Sequence, residues 1–241
     1  MLPEGLESHT PAPLSSDGGA AGQQTALLAP ASPRKPDLSP LIESFLANYD
    51  GGECFLSIPR RISADAAEVL SYGRSAADFE RMIERFRDAV GVRLAVEPRP
   101  ITENQCGALE LARHFSGGAT PLAIRLAQDQ VNDGAVLTAD VTGYSHPWIY
   151  VLLVDDEGML RELSSYASSI DGRLRLAVPV HASGDGYDKT QLLIAVSSTR
   201  ELTMMDIPER APLANALPLI IGQRKLLAAD TEVAVAAFRV R

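Results

Sequence analysis

From Leu122 to Val196 short apolar runs alternate with turn-forming residues, and this rhythm restricts the second half of the chain to strands. The candidate strands are Leu122–Leu126, Ala135–Val141, Trp148–Val154, Leu160–Leu163, Arg173–Val178 and Gln191–Val196. Asp155-Asp-Glu-Gly158 makes a tight turn, so the runs on either side of it predict a hairpin. Asp171-Gly172 and Gly184-Asp-Gly186 supply further turns. Runs so punctuated predict an antiparallel β-sandwich over residues 118–241. Within it Pro212–Ala229 reads as a helical insertion kinked near Pro218, and Glu232–Val240 as a returning final strand.

Residues 37–117 read differently. Ser39 can cap a helix whose first turn holds Pro40, followed by Leu41, Ile42, Phe45 and Leu46 at helical spacing. Cys54–Ile58 predicts a strand ended by Pro59, and Ala67–Tyr72 a second one. Ser75 and Asp78 form a capping box ahead of Phe79, Met82, Ile83, Phe86 and Val90, a single apolar stripe that predicts a helix packed on a small sheet. Val92–Glu97 alternates as a third strand, and Thr102 or Asn104 opens a helix through Cys106, Leu109, Leu111 and Phe115. The order α, β, β, α, β, α predicts a small α+β sandwich, with helices on a three-stranded sheet, ahead of the β-sandwich.

Residues 1–36 hold six of the 16 prolines and no aromatic residue, which predicts a disordered tail or linker. Glu4 and Glu7 come early and no continuous apolar core follows, unlike a secretory signal. A tail of this kind predicts a piece of a longer protein, exported through something upstream, as against a free cytoplasmic chain. The formal net charge of -9 argues against nucleic acid or an anionic membrane surface as a partner. No apolar run reaches the roughly 20 residues that span a bilayer.

Few residues suggest chemistry. Cys54 and Cys106 are the only cysteines, and three readings compete for them: buried free thiols, a disulfide, or a nucleophile at Cys106 near a helix start. Papain- and transglutaminase-like hydrolases pair such a cysteine with a histidine on a following strand. His146 would then be the base, with Asp155 or Asp156 orienting it. The acids Asp155, Asp156 and Glu157 lack the glycine and glutamate of an EF-hand loop. His9, His114, His146 and His181 are scattered without a metal-binding spacing. No metal or cofactor is expected.

Several segments resemble a known family. Asn48-Tyr-Asp-Gly-Gly-Glu-Cys-Phe-Leu56 resembles the opening of the non-kinase C-terminal region of serine/threonine protein kinases from rhizobia and related alphaproteobacteria. Ser71-Tyr-Gly73, Arg99-Pro-Ile-Thr102 and Gln105-Cys-Gly-Ala-Leu109 are similar to motifs that follow there in the same order. So are Leu152-Leu-Val-Asp-Asp-Glu-Gly-Met-Leu-Arg-Glu-Leu-Ser164 and Gln191-Leu-Leu-Ile-Ala-Val-Ser-Ser198. The resemblance covers roughly residues 40–240 and implies a module carried after a kinase domain and often a membrane span, without catalysis of its own. It also implies that Cys54 and Cys106 are paired. The histidine of His146-Pro-Trp148 has no counterpart in those motifs, which weakens the hydrolase reading.

The sequence therefore predicts a non-enzymatic binding or sensor module, periplasmic or extracytoplasmic if anchored upstream and cytoplasmic otherwise. Its expected partner is a protein or a cell-envelope component. The expected contact surface is the acidic loops, with Asp155, Asp156, Glu157, Asp185 and Asp188, joined by the aromatic residues Tyr144, Trp148 and Tyr187.

Overall fold

A computed structural model describes residues 37–115, 122–183, 188–202, 210–222 and 231–241. They fall within one compact unit, Pro36–Arg241. The tail 1–36 expected from composition lies outside the described residues, as does the boundary placed at 117/118. The fold class is α+β, with one three-stranded sheet and two larger, mainly antiparallel sheets.

The first sheet is β1 (Leu56–Ser63), β2 (Ala66–Gly73) and β3 (Arg93–Pro100), in that order. β1 and β2 are antiparallel, and β2 and β3 are parallel. Pro59 does not end β1, contrary to the sequence expectation. β1 is an edge strand, where the missing proline N–H costs no ladder bond, and the register shifts between Pro59 and Arg61. α1 (Ser39–Asn48) and α2 (Ala76–Val90) cover one face of this sheet. α2 keeps the capping box of Ser75 and Asp78 and ends at Gly91, in the left-handed region with φ 75°. Its stripe of Phe79, Met82, Phe86 and Val90 packs on Ala67 and Val69 of β2. Ser39 does not cap α1; the Asp37 carboxylate accepts the Ser39 N–H at 3.0 Å instead.

α3 (Cys106–Phe115) lies on the opposite side of the three-stranded sheet. Ala108, Leu109, Leu111 and Ala112 cluster there with Leu70 and Tyr72 of β2, which project away from α1 and α2. The same cluster takes in α4 (Leu213–Gly222) and one face of the six-stranded sheet, through Leu152, Ile194 and Val235. The buried Tyr72 hydroxyl donates to the Val235 carbonyl at 3.0 Å, so a core hydrogen bond joins the two sheets. The α+β part and the sandwich thus share one core.

The remaining strands are β4 (Ala123–Leu126), β5 (Gln130–Val131), β6 (Val136–Thr142), β7 (Trp148–Val154), β8 (Met159–Glu162), β9 (Ala167–Ile170), β10 (Arg173–Pro179), β11 (Lys189–Ser198), β12 (Arg210–Pro212) and β13 (Glu232–Val240). They form a six-stranded sheet ordered β12-β8-β7-β11-β13-β5 and a four-stranded sheet ordered β4-β6-β10-β9. Val151, Leu153, Leu193, Ala195 and Phe238 of the first meet Leu137, Ala139, Val141, Leu176 and Val178 of the second. The sequence texture reports the layer. β7 and the Leu192–Val196 stretch of β11 are continuously apolar because both their faces are covered. β6 and β10 alternate because their outer face meets water.

Candidate functional site

The residues singled out in the sequence converge at the start of α3. Thr102 and Gln105 form a capping box there, the Gln105 Oε1 accepting the Thr102 N–H at 3.0 Å. Cys106 follows immediately and is disulfide-bonded to Cys54, with Cα atoms 4.7 Å apart and a sequence separation of 52. Cross-linking a loop of that length stabilises the fold by about 4 kcal/mol in the chain-entropy account. The Arg113 guanidinium reinforces the crosslink by donating to the carbonyls of Gly52, at 2.8 Å, and Glu53. Gly52 itself has φ 94°, a conformation that glycine adopts without strain.

The acidic turn after β7 docks on the same helix start. The hairpin forms as the sequence predicts, with Val154 opposite Leu160. The turn is not a solvated loop, however. Asp155 is 8% exposed and Asp156 is 7% exposed. Asp155 Oδ1 accepts the N–H groups of Glu157 at 3.1 Å and Met159 at 2.8 Å, while Oδ2 meets Arg210 at 3.0 Å. Asp156 Oδ2 lies 3.3 Å from Lys189 Nζ, and its Oδ1 is buried without a hydrogen-bond partner among the described residues. Gln105 Nε2 donates to the Asp155 carbonyl at 3.0 Å and to that of Thr190 at 2.8 Å. Thr102 Oγ1 donates to the Asp156 carbonyl at 2.8 Å. At Gly158, φ 77°, a Cβ would stand 2.5 Å from the Asn104 carbonyl oxygen, so only glycine fits. Asp155 and Asp156 thus clamp the hairpin to α3 and offer a partner little surface. Of the three acids, Glu157 alone is well exposed.

The remaining candidates are dispersed. Asp185 and Tyr187 lie outside the described residues. Asp188 has φ 70° and pairs with Arg239 and Arg241, both at 3.3 Å. Tyr144 is half-buried against the sandwich core. Trp148 is 41% exposed at the start of β7. Two residues on, the Tyr150 hydroxyl accepts the Leu202 N–H at 2.8 Å, and burial raises its pKa.

The Cys–His pairing of a hydrolase is not assembled. Cys106 has its sulfur bonded to Cys54, and His146 Nε2 lies 3.4 Å from the hydroxyl of its neighbour Ser145. Ser145 Oγ in turn donates to Glu232 Oε1 at 3.1 Å. In that chain the serine, and not the histidine, sits in the middle, so the histidine is not oriented by an acid as a general base would be. Among the described residues no group of three or more His, Cys, Asp or Glu side chains could hold a metal ion.

The bracing residues Arg210 and Lys189 were not singled out in the sequence, and Gln105 entered only as part of a motif of the resemblance. The three-residue spacing of Thr102 and Gln105 is the one local signal that points to this junction; the arginine and lysine approach only through the fold. No family model, no curated protein and no solved structure matches this chain.

Proposed function

We propose that this chain is a non-enzymatic binding or sensor module that works in an oxidising compartment and is associated with a bacterial signalling protein kinase. The observation that carries the reading is the Cys54–Cys106 disulfide. It takes up both cysteines of the chain in a structural crosslink, leaving no thiolate for nucleophilic chemistry. Such crosslinks persist outside the reducing cytosol. Both cysteines also belong to the motifs that resemble the kinase C-terminal region, and their pairing is what that resemblance implies.

A protein or cell-envelope partner then binds at the end of β7 that carries Trp148; Glu157 lies in the turn beyond the opposite end of that strand and is a separate contact. Trp148 supports this, since a large exposed aromatic is a common anchor of interfaces. The test is the native gene product, detected in cells with an antibody against this chain. The proposal expects a polypeptide larger than 25.8 kDa that fractionates with membranes. A product of 25.8 kDa with both thiols free in the cytosolic fraction would contradict it.

A further inference from the structure

The four-stranded sheet ends on an edge, β9, that no described strand covers. β9 and β10 are joined by Asp171 and Gly172, with φ 50° and 73°, a two-residue type I′ turn. Ile170 and Arg173 flank that turn and form its hydrogen-bonded pair, so Ser168 and Arg175 form the next one. Ala167 and Ser169 therefore direct their backbone groups away from β10. The Ala167 N–H is taken by the Ser164 carbonyl. The Ser169 N–H, the Ser169 carbonyl and the Ala167 carbonyl bond to nothing among the described residues.

Most other sheet edges carry a guard. β1 has Pro59, Arg60, Arg61 and a register shift; β3 has Pro98 and Pro100; β12 has Pro212; β5 is two residues long. β9 is Ala-Ser-Ser-Ile, with no proline, no charge and no bulge. Two exposed apolar side chains lie at its ends, Tyr166 at 48% and Ile170 at 44% exposure.

The face beside this edge is positive although the chain is acidic. In register, Arg125, Asp140, Arg175 and Ser168 form one row across the sheet, and Arg173 stands beside Ile170. Asp140 is neutralised by Arg175, with Nε–Oδ1 at 2.9 Å. Arg125 and Arg173 make no ion pair among the described residues. A second copy pairing through β9 would set the two β10 strands three spacings apart, roughly 14 Å, with an arginine-bearing face on both sides of the seam and no carboxylate row to meet it. An incoming strand whose outward side chains are carboxylates would lie roughly 10 Å from β10. Arginine and glutamate side chains jointly span that gap across the short Ser168.

We propose that the β9 edge, with the arginine-bearing face beside it, docks an extended acidic segment of another protein, which adds as a fifth strand. This surface shares no residue with the Trp148 end described above, and the proposal stands or falls without it. The probe is a synthetic capped octapeptide alternating valine with glutamate, titrated into the full chain by NMR, with its valine–lysine counterpart as control. The glutamate peptide is expected to bind with a Kd on the order of 100 μM, shifting the amides of residues 167–170, and to weaken as salt rises. The lysine peptide should bind at least ten times more weakly. Ser169→Pro, which removes the outward donor, should lose binding while its circular dichroism stays unchanged. Arg173→Glu keeps the edge intact and should reverse the preference toward the lysine peptide. Equal binding of the two peptides would overturn the proposal. So would undiminished binding by a folded Ser169→Pro chain, a preference unmoved by Arg173→Glu, or sedimentation showing a dimer that Ser169→Pro dissolves.

Discussion

Replacing Asp155 with alanine separates a buried brace from a solvated acidic turn. The carboxylate is 8% exposed and serves two backbone N–H groups, of Glu157 and Met159, at 3.1 and 2.8 Å. Alanine leaves both donors without their acceptor, and an unsatisfied buried donor costs about 1–3 kcal/mol. Glu157 is exposed enough for water to replace part of that loss, so the pair together should cost about 2–3 kcal/mol. The Arg210 contact adds less than about 1 kcal/mol, because that guanidinium is 56% exposed. For a folded part of this size the sum lowers the thermal midpoint by about 5–10 °C. Asp155→Asn keeps an acceptor for the two N–H groups and loses only the charge, so its midpoint should fall by about 2–4 °C. Thermal and urea unfolding monitored by circular dichroism measure both. An alanine variant within about 0.5 kcal/mol of the parent chain would refute the brace, since that is the behaviour of an ordinary surface acid.

Two further outcomes follow from the core. Burial raises the Tyr72 pKa, so the neutral phenol is what the fold tolerates. Its stabilising contribution is complete below the unfolded tyrosine value near 10 and is lost as pH climbs above it. Tyr72→Phe should cost about 1 kcal/mol at neutral pH through the lost bond to Val235 and should flatten the alkaline decline seen in urea midpoints between pH 9 and 11. An unchanged decline would place its origin elsewhere. Gly158→Ala must accept both φ 77° and a Cβ at 2.5 Å from Asn104, so it should destabilise by about 2 kcal/mol or more, and a neutral result would contradict the close approach of the hairpin to α3.

Where local pattern determines local structure, the chain was readable. α2 forms from Ser75, Asp78 and the apolar stripe, and β7 and β13 run over Trp148–Val154 and Glu232–Val240, as the apolar run of the first and the alternation of the second predict. β5, β9 and β12 escaped notice because they are two to four residues long and carry no periodicity. The larger misreading was of Asp155 and Asp156. An acid in a turn is ordinarily solvated, and nothing within ten residues announces that Thr102, Gln105, Lys189 and Arg210 converge on it. The sharing of one core by α3, Tyr72 and the six-stranded sheet was hidden for the same reason: apolar residues declare that they are buried, and only the fold declares against what. The cysteines lay between these cases, since their composition left three fates open and the fold brought their Cα atoms to 4.7 Å.

The central claim is that Cys54 and Cys106 form a structural crosslink in a module made for an oxidising compartment. It is tested most directly by trapping thiols in intact cells that express the native gene. Cells are quenched in acid, the protein is denatured with an alkylating reagent and no reductant, and the attached labels are counted by mass spectrometry. The account predicts no label on either cysteine, and two labels only after prior reduction. A native population carrying a label on both Cys54 and Cys106 without reduction would contradict it.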